Sequence, residues 1–226
     1  MYRVLDLFCG TGAISHGLTL ADENFLTLGG IDINSAACAT AKANNTQGMY
    51  LKDSITRVQP TQFAQAIGTE TIDVIVGGPP CQGFSSIRPN RGNLLDDERN
   101  GLYRSFIEYV DFFRPKVILM ENVVGLISHS KGELLDEVMS EFQSIGYEVD
   151  WRVLNSANYG VPQKRERLFV LGRQRNLKST EQLLFPEPTH WFEGRVIGTK
   201  HKSNYVVNKS KGLPAVSFGD ATSDLP

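Results

Sequence analysis

The stretch "IDVIVGGPPCQGFSS", Ile72 to Ser86, runs an apolar strand pattern into two glycines and two prolines and then presents Cys81. A cysteine needed only for packing fits better inside the apolar run. One set just past a rigid turn is held out to react, the bland alternative being a small buried hydrophobe. The next apolar run, "KVILMEN", delivers Glu121, whose bland alternative is a surface charge. A thiol and a carboxyl group converging on a planar heterocycle suit nucleophilic addition, with proton transfer or hydrogen bonding at the ring. Farther on, "QKRER" sets Arg165 and Arg167 two apart on a strand pattern, so both face the same way. Guanidinium groups near Cys81 raise the fraction of thiolate, which in a free cysteine is small near neutrality. An exposed, salt-bridged strand is the alternative for these arginines.

A second set of residues points to a nucleoside. "VLDLFCGTGAISHG" reads as a strand, a glycine turn and a helix start, with Gly10 and Gly12 admitting a ligand close to the backbone. Asp32, 22 positions after Gly10, ends the following strand, where a ribose-binding carboxylate belongs. The dinucleotide pattern GxGxxG requires glycine at position 15, and the residue is Ser15. A nicotinamide or flavin enzyme is therefore disfavoured, while Asp6, four residues before the first glycine, resembles the VLDxxxGxG opening of S-adenosylmethionine-dependent methyltransferases.

The elements that must position these residues follow from periodicity. Apolar runs rich in Val, Ile and Leu (YRVLDLF, FLTLGGIDI, TIDVIVGG, KVILMEN) take turns with amphipathic stretches such as GLYRSFIEYVDFF and GELLDEVMSEFQSIG. Strands without clean alternation are buried on both faces, and strand–helix alternation implies an α/β, doubly wound, mostly parallel sheet with right-handed crossovers. The strands bearing Cys81 and Glu121 are then neighbours, and ligands gather beyond the carboxyl ends of the strands. The later runs YEVDWRVL and RLFVLG lack an intervening helix and are expected to close the sheet as a hairpin.

Composition narrows the class. The chain has 226 residues, 41% of them hydrophobic, enough for one full core. Its start has no signal-type pattern, and no apolar run approaches the roughly 18 residues of a membrane span; a cytoplasmic protein is expected. Cys9, Cys38 and Cys81 cannot all pair, and the four scattered histidines show no metal-ligand spacing. No metal and no membrane partner are expected. Residues 1–159 hold 12 Lys/Arg against 19 Asp/Glu, a net of −7, and residues 160–226 hold 11 against 6, a net of +5. The basic C-terminal third suits a phosphate-bearing partner or, equally on charge alone, a solvated tail.

The conjunction of GGPPCQGFSS, ENVVGL and NYGVPQKRERLFVLG, in this order and with GGIDIN and DERNGLY, closely resembles the cytosine carbon-5 DNA methyltransferases over residues 1–175. The resemblance implies a Rossmann-like S-adenosylmethionine-dependent fold, a catalytic and cofactor-binding domain over 1–175, and an irregular basic tail over 176–226. It implies that Cys81 attacks carbon 6 of cytosine, Glu121 holds ring nitrogen 3 and the exocyclic amine, and Arg167, with Arg165 beside it, helps bind and activate the base. For the cofactor it nominates Phe8, Gly10, Gly12, Asp32, Ile33, Asp53, Pro79 and Leu102. In "LKDSITRV" the register after Asp53 is one residue longer than the usual pattern. A base inside duplex DNA is out of reach, so the mechanism requires flipping, with the loop from Gln82 to Asn100 as a lid and Arg88 and Arg91 on phosphate.

The family's target-recognition region and its RExxRLQGFP-like and GNSV-like segments do not occur in these residues. A split enzyme whose second polypeptide supplies recognition, a truncation, and a degenerate cofactor-binding protein all fit that absence. The intact Cys81, Glu121 and Arg167 argue against decay, and the overall acidic charge suits a subunit whose DNA-reading surface is elsewhere, which favours the split subunit. A tRNA cytosine methyltransferase of the same superfamily is the competing reading.

Overall fold

The computed structural model describes residues 1–80, 102–128, 132–177, 183–192 and 212–225. Cys81, the Gln82–Asn100 loop, Arg88 and Arg91 lie outside the described residues.

Seven strands form one sheet in the order β3-β2-β1-β4-β5-β7-β6. Their spans are β1 Tyr2–Leu7, β2 Phe25–Asp32, β3 Met49–Lys52, β4 Val74–Gly77, β5 Val117–Asn122, β6 Tyr147–Asn155 and β7 Glu166–Gln174. The first five pair in parallel, and β7 runs antiparallel to both β5 and β6. The expected neighbourhood of β4 and β5 is present, with Gly77 opposite Met120. The closing hairpin also forms, but its second strand slots between β5 and the first. That insertion brings Arg167 of β7 beside Glu121, which lies opposite Phe169, with Arg165 just ahead of the strand.

Helices link the strands: α1 Ala13–Ala21, α2 Ser35–Asn44, α3 Pro60–Ile67, α4 Leu102–Phe113, α5 Gly125–Ser128 and α6 Glu133–Ser144. Local chemistry starts two of them. The Asn34 side chain accepts from the amides of Ala36 and Ala37 at the head of α2, and Gln59 and Gln62 form a capping box around Pro60 at the head of α3. The helix α4 buries Tyr103, Phe106, Ile107, Tyr109, Val110 and Phe113, an apolar stripe at helical spacing. Phe106 meets Phe142 of α6 edge to face, with ring centroids 6.2 Å apart. All four residues of β4 are buried, as a central strand covered on both faces must be.

Regular structure also occurs within the stretch expected to be irregular. The two-residue strands β8 His190–Trp191 and β9 Leu213–Pro214 pair in parallel, and α7 spans Phe218–Ala221. β1 lies between β2 and β4, so the strand order reverses there and opens a crevice beyond the carboxyl ends of β1 and β4.

Candidate active site

Beyond β1 the chain turns through Phe8, Gly10 and Gly12, all in the left-handed region at φ 56°, 53° and 79°. Glycine tolerates this conformation, whereas phenylalanine is held in it at a cost. Two carboxylates hold the turn. Asp32 Oδ2 accepts the Gly10 amide at 2.9 Å, and its Oδ1 accepts the Asn34 amide at 2.8 Å. Asp6, 1% exposed, accepts the Ser15 hydroxyl at 2.6 Å. Ser15 therefore has a positive role where a dinucleotide fold needs glycine: its hydroxyl fastens the start of α1 to β1. Burial pushes the Asp6 carboxyl up to about 7, against the Ser15 hydrogen bonds that stabilise its ionised form.

Two cavities open on the crevice. The first, of about 270 Å³, is lined by the apolar side chains of Phe8, Ile31, Ile33, Ile55 and Leu102, and by the carboxylates of Asp32 and Asp53. Among the described residues, no Lys or Arg lines it. Apolar walls suit a planar base and carboxylates suit ribose hydroxyls, amines or a cation. This lining fits the base and ribose of a nucleoside. Ile33 is 69% exposed at the rim, a large apolar surface left for a ligand to cover.

The second cavity, of about 490 Å³, shares Phe8 and Gly78 with the first and is lined on its polar side by Glu121, Arg165 and Arg167. Arg167 Nε lies 2.8 Å from Glu121 Oε1. Burial raises the Glu121 carboxyl above its ordinary value despite the opposing pull of Arg167 and Arg165. Gly78 makes room for this carboxyl, since a Cβ at that position lies 3.0 Å from Glu121 Oε2. Asn122 donates to the Pro79 carbonyl at 3.0 Å and accepts the Val123 amide at 2.8 Å, tying the end of β5 to the turn after β4. The Ser156 amide and hydroxyl both donate to the Arg165 carbonyl, at 3.0 and 3.1 Å, which fixes the approach to β7.

Of the eight residues nominated for the cofactor, Phe8, Asp32, Ile33, Asp53 and Leu102 line the first cavity. Gly10 is tied to Asp32, Gly12 borders a smaller neighbouring cavity, and Pro79 turns its carbonyl to Asn122. Glu121, Arg165 and Arg167 converge on the second cavity. Pro80, the residue before Cys81, lines the first. Gly78, Asn122 and Tyr159, whose hydroxyl donates to the Pro186 carbonyl at 2.9 Å on the wall of the second cavity, were legible only as part of motifs. Among the described residues no group of three or more His, Cys, Asp or Glu could hold a metal ion, and no helix is long and apolar enough to cross a membrane.

A family model, C-5 cytosine-specific DNA methylase, matches residues 2–213. Type II methyltransferase M.AgeI of Thalassovita gelatinovora is 36% identical, over 99% of this chain and 51% of its own length. M1.HphI of Haemophilus parahaemolyticus is 37% identical over 82% of this chain and 48% of its own. The chain thus spans about half the length of these curated relatives. M.AquIA of Picosynechococcus sp. differs: the match, at 33% identity, covers 99% of this chain and 89% of that one. Among solved structures, a prophage-encoded protein from E. coli described as a DNA modification methyltransferase superposes with a TM-score of 0.75 at 25% identity, covering 100% of this chain and 56% of its own. A Spodoptera frugiperda DNMT2 mutant gives 0.66 at 21% identity, over 95% of this chain and 57% of its own, a likeness of fold alone.

Proposed function

Since the chain belongs to the C-5 cytosine-specific DNA methylase family, we propose that it transfers a methyl group from S-adenosylmethionine to carbon 5 of a cytosine flipped out of duplex DNA, as part of a restriction-modification system. The observation that carries this reading is that the two cavities share Phe8 and Gly78, so a nucleoside-shaped slot and a cavity with a carboxyl–guanidinium pair meet at one point.

The slot would take adenosine between Phe8, Ile33 and Leu102, with Asp32 at the ribose and Asp53 at the base edge. When bound, the cofactor supplies an activated methyl group on a sulfonium. The other groups belong to the chain. Cys81 adds to carbon 6, which breaks the aromaticity of the ring and makes carbon 5 a nucleophile; after methylation, loss of the carbon-5 proton expels the thiolate. Glu121 holds ring nitrogen 3 and the exocyclic amine, where charge develops, and Arg167 keeps its carboxylate in place. Residues 1–175 form the catalytic part of this reading, and the basic residues of 176–226 lead toward the recognition function.

Target recognition is assigned to a second polypeptide. The type II methyltransferases M.AgeI and M1.HphI are about twice as long, whereas M.AquIA, close to this chain in length, bears the same description. A cytoplasmic location is part of this proposal, since its substrate would be the duplex DNA of the cell.

The test is transfer of labelled methyl groups from S-adenosylmethionine to unmethylated duplex DNA and to tRNA. It compares the chain alone with the chain plus a C-terminal polypeptide taken from a long relative, each beside Cys81→Ser. DNA methylation that needs the second polypeptide and is lost in Cys81→Ser is expected. Methylation of tRNA alone, or full turnover by Cys81→Ser, rejects the proposal.

A further inference from the structure

Asp53 is held in an unsymmetrical way. Three donors converge on its Oδ1: the Ser54 amide at 2.7 Å, Arg57 Nε at 2.7 Å and Arg57 Nη2 at 2.6 Å. Its Oδ2 receives no hydrogen bond among the described residues, although Asp53 lines the apolar slot. Arg57 reaches back because the Ser54–Arg57 turn is closed by the Arg57 amide on the Ser54 carbonyl at 2.9 Å and by the Ser54 and Thr56 hydroxyls at 2.8 Å. The Ser54 amide and Arg57 hold the Asp53 carboxyl below its ordinary value, so it stays an acceptor across neutral pH.

We propose that Arg57 is a positioning residue of the cofactor slot. By occupying Oδ1 it leaves Oδ2 for an N–H at the edge of a bound base, and so makes the preference for an amino-substituted purine depend on a side chain outside the slot. The inference rests on the nucleoside-cofactor reading and deepens it. Both partners are partly exposed, 68% for the Arg57 side chain and 42% for Asp53, so the coupling is screened by solvent and modest in size.

The experiment is calorimetric titration of the full chain with S-adenosylhomocysteine and with its counterpart lacking the 6-amino group, for wild type, Arg57→Ala and Arg57→Lys. In wild type the amino-bearing ligand binds more tightly. Arg57→Ala loses about threefold for that ligand only, the order expected of an exposed ion pair acting through its partner. Arg57→Lys recovers part of the loss, and 0.5 M salt shrinks the difference. Equal weakening of both ligands, or no change for either, overturns the role of Arg57 while leaving the cofactor reading in place. Failure of wild type to bind either ligand, both alone and with the C-terminal polypeptide added, removes the cofactor reading, and this inference with it.

Discussion

Glu121 at the end of β5 and Arg167 near the start of β7 form an ion pair at 2.8 Å across an antiparallel strand junction. Their side chains are 26% and 23% exposed, so neither charge is fully solvated and removing one partner leaves the other poorly compensated. Arg167→Ala is expected to raise the Glu121 carboxyl further and to lower the rate of methyl transfer by about a hundredfold, the order seen when a preorganised electrostatic contact is lost. Arg167→Lys, which cannot reproduce the directed guanidinium contact, should recover little of it. Methyl-transfer rates measured from pH 5.5 to 8.5 in the assay of the proposed function check this, and a rate within threefold of wild type for Arg167→Ala would remove the pair from the mechanism.

Gly78 gives a test that separates geometry from charge. A methyl group there sits 3.0 Å from Glu121 Oε2, tighter than ordinary contact, so the carboxylate must give by a few tenths of an ångström. Gly78→Ala is expected to cut the methyl-transfer rate at least tenfold, since misplacing a reacting contact is costly. The midpoint of urea unfolding should change far less, because the far end of a side chain moves and not the backbone. A large loss of stability with an unchanged rate in the surviving folded protein would assign Gly78 to the fold alone.

How far these relationships were legible depends on what carries them. The parallel order of β1, β4 and β5 follows from apolar runs taking turns with amphipathic helices, and the slot residues at strand ends follow from the topology that such alternation imposes. The position of β7 between β5 and β6 has no local signal: hairpin geometry is the same whichever strand lies inside, and tertiary packing decides. Asp6 was readable as part of a motif, but its partnership with Ser15 was not, because nine residues separate them and the contact forms only when α1 packs on β1. Arg57 was hidden for the opposite reason: a surface turn at i, i+4 looks like any exposed ion pair until Asp53 is seen to line a cavity.

Asp6 predicts a pH dependence of stability. Its carboxyl is raised by burial to about 7 in the folded chain, above its ordinary value of 3.8. The folded state therefore binds the proton more tightly than the unfolded state. The associated stabilisation is fully present below the ordinary carboxylate range and is lost as pH rises through about 7. Other carboxylates, such as Asp73 beside Lys116, are shifted down and oppose this trend, so the comparison must be with Asp6→Asn. In urea unfolding from pH 5 to 8, the stability of wild type relative to Asp6→Asn should fall with increasing pH. A constant difference across that range shows that Asp6 does not change its protonation there.

The strap of residues Leu184–Trp191 supplies the last prediction. Asn158 grips it from both sides of one residue: its side-chain amide donates to the His190 carbonyl at 2.9 Å, and its own carbonyl accepts the Thr189 amide at 2.9 Å. Tyr159, the next residue, holds the Pro186 carbonyl at 2.9 Å. Both lie in a single 3-10 turn, Ser156–Tyr159, whose first residue fixes the Arg165 carbonyl, so the strap and the approach to β7 share one support. Each side-chain bond contributes on the order of 1 kcal/mol. Asn158→Ala should therefore raise hydrogen exchange of residues 184–191 by about fivefold, a factor equivalent to that energy. Tyr159→Phe should act on the Pro186 end alone, and the double variant should exceed either single one, with peptides covering 165–168 loosening in parallel. If exchange rises in the strap while the arginine strand keeps its protection in all three variants, the two are supported separately, and the strap has no hold on the geometry of Arg165 and Arg167.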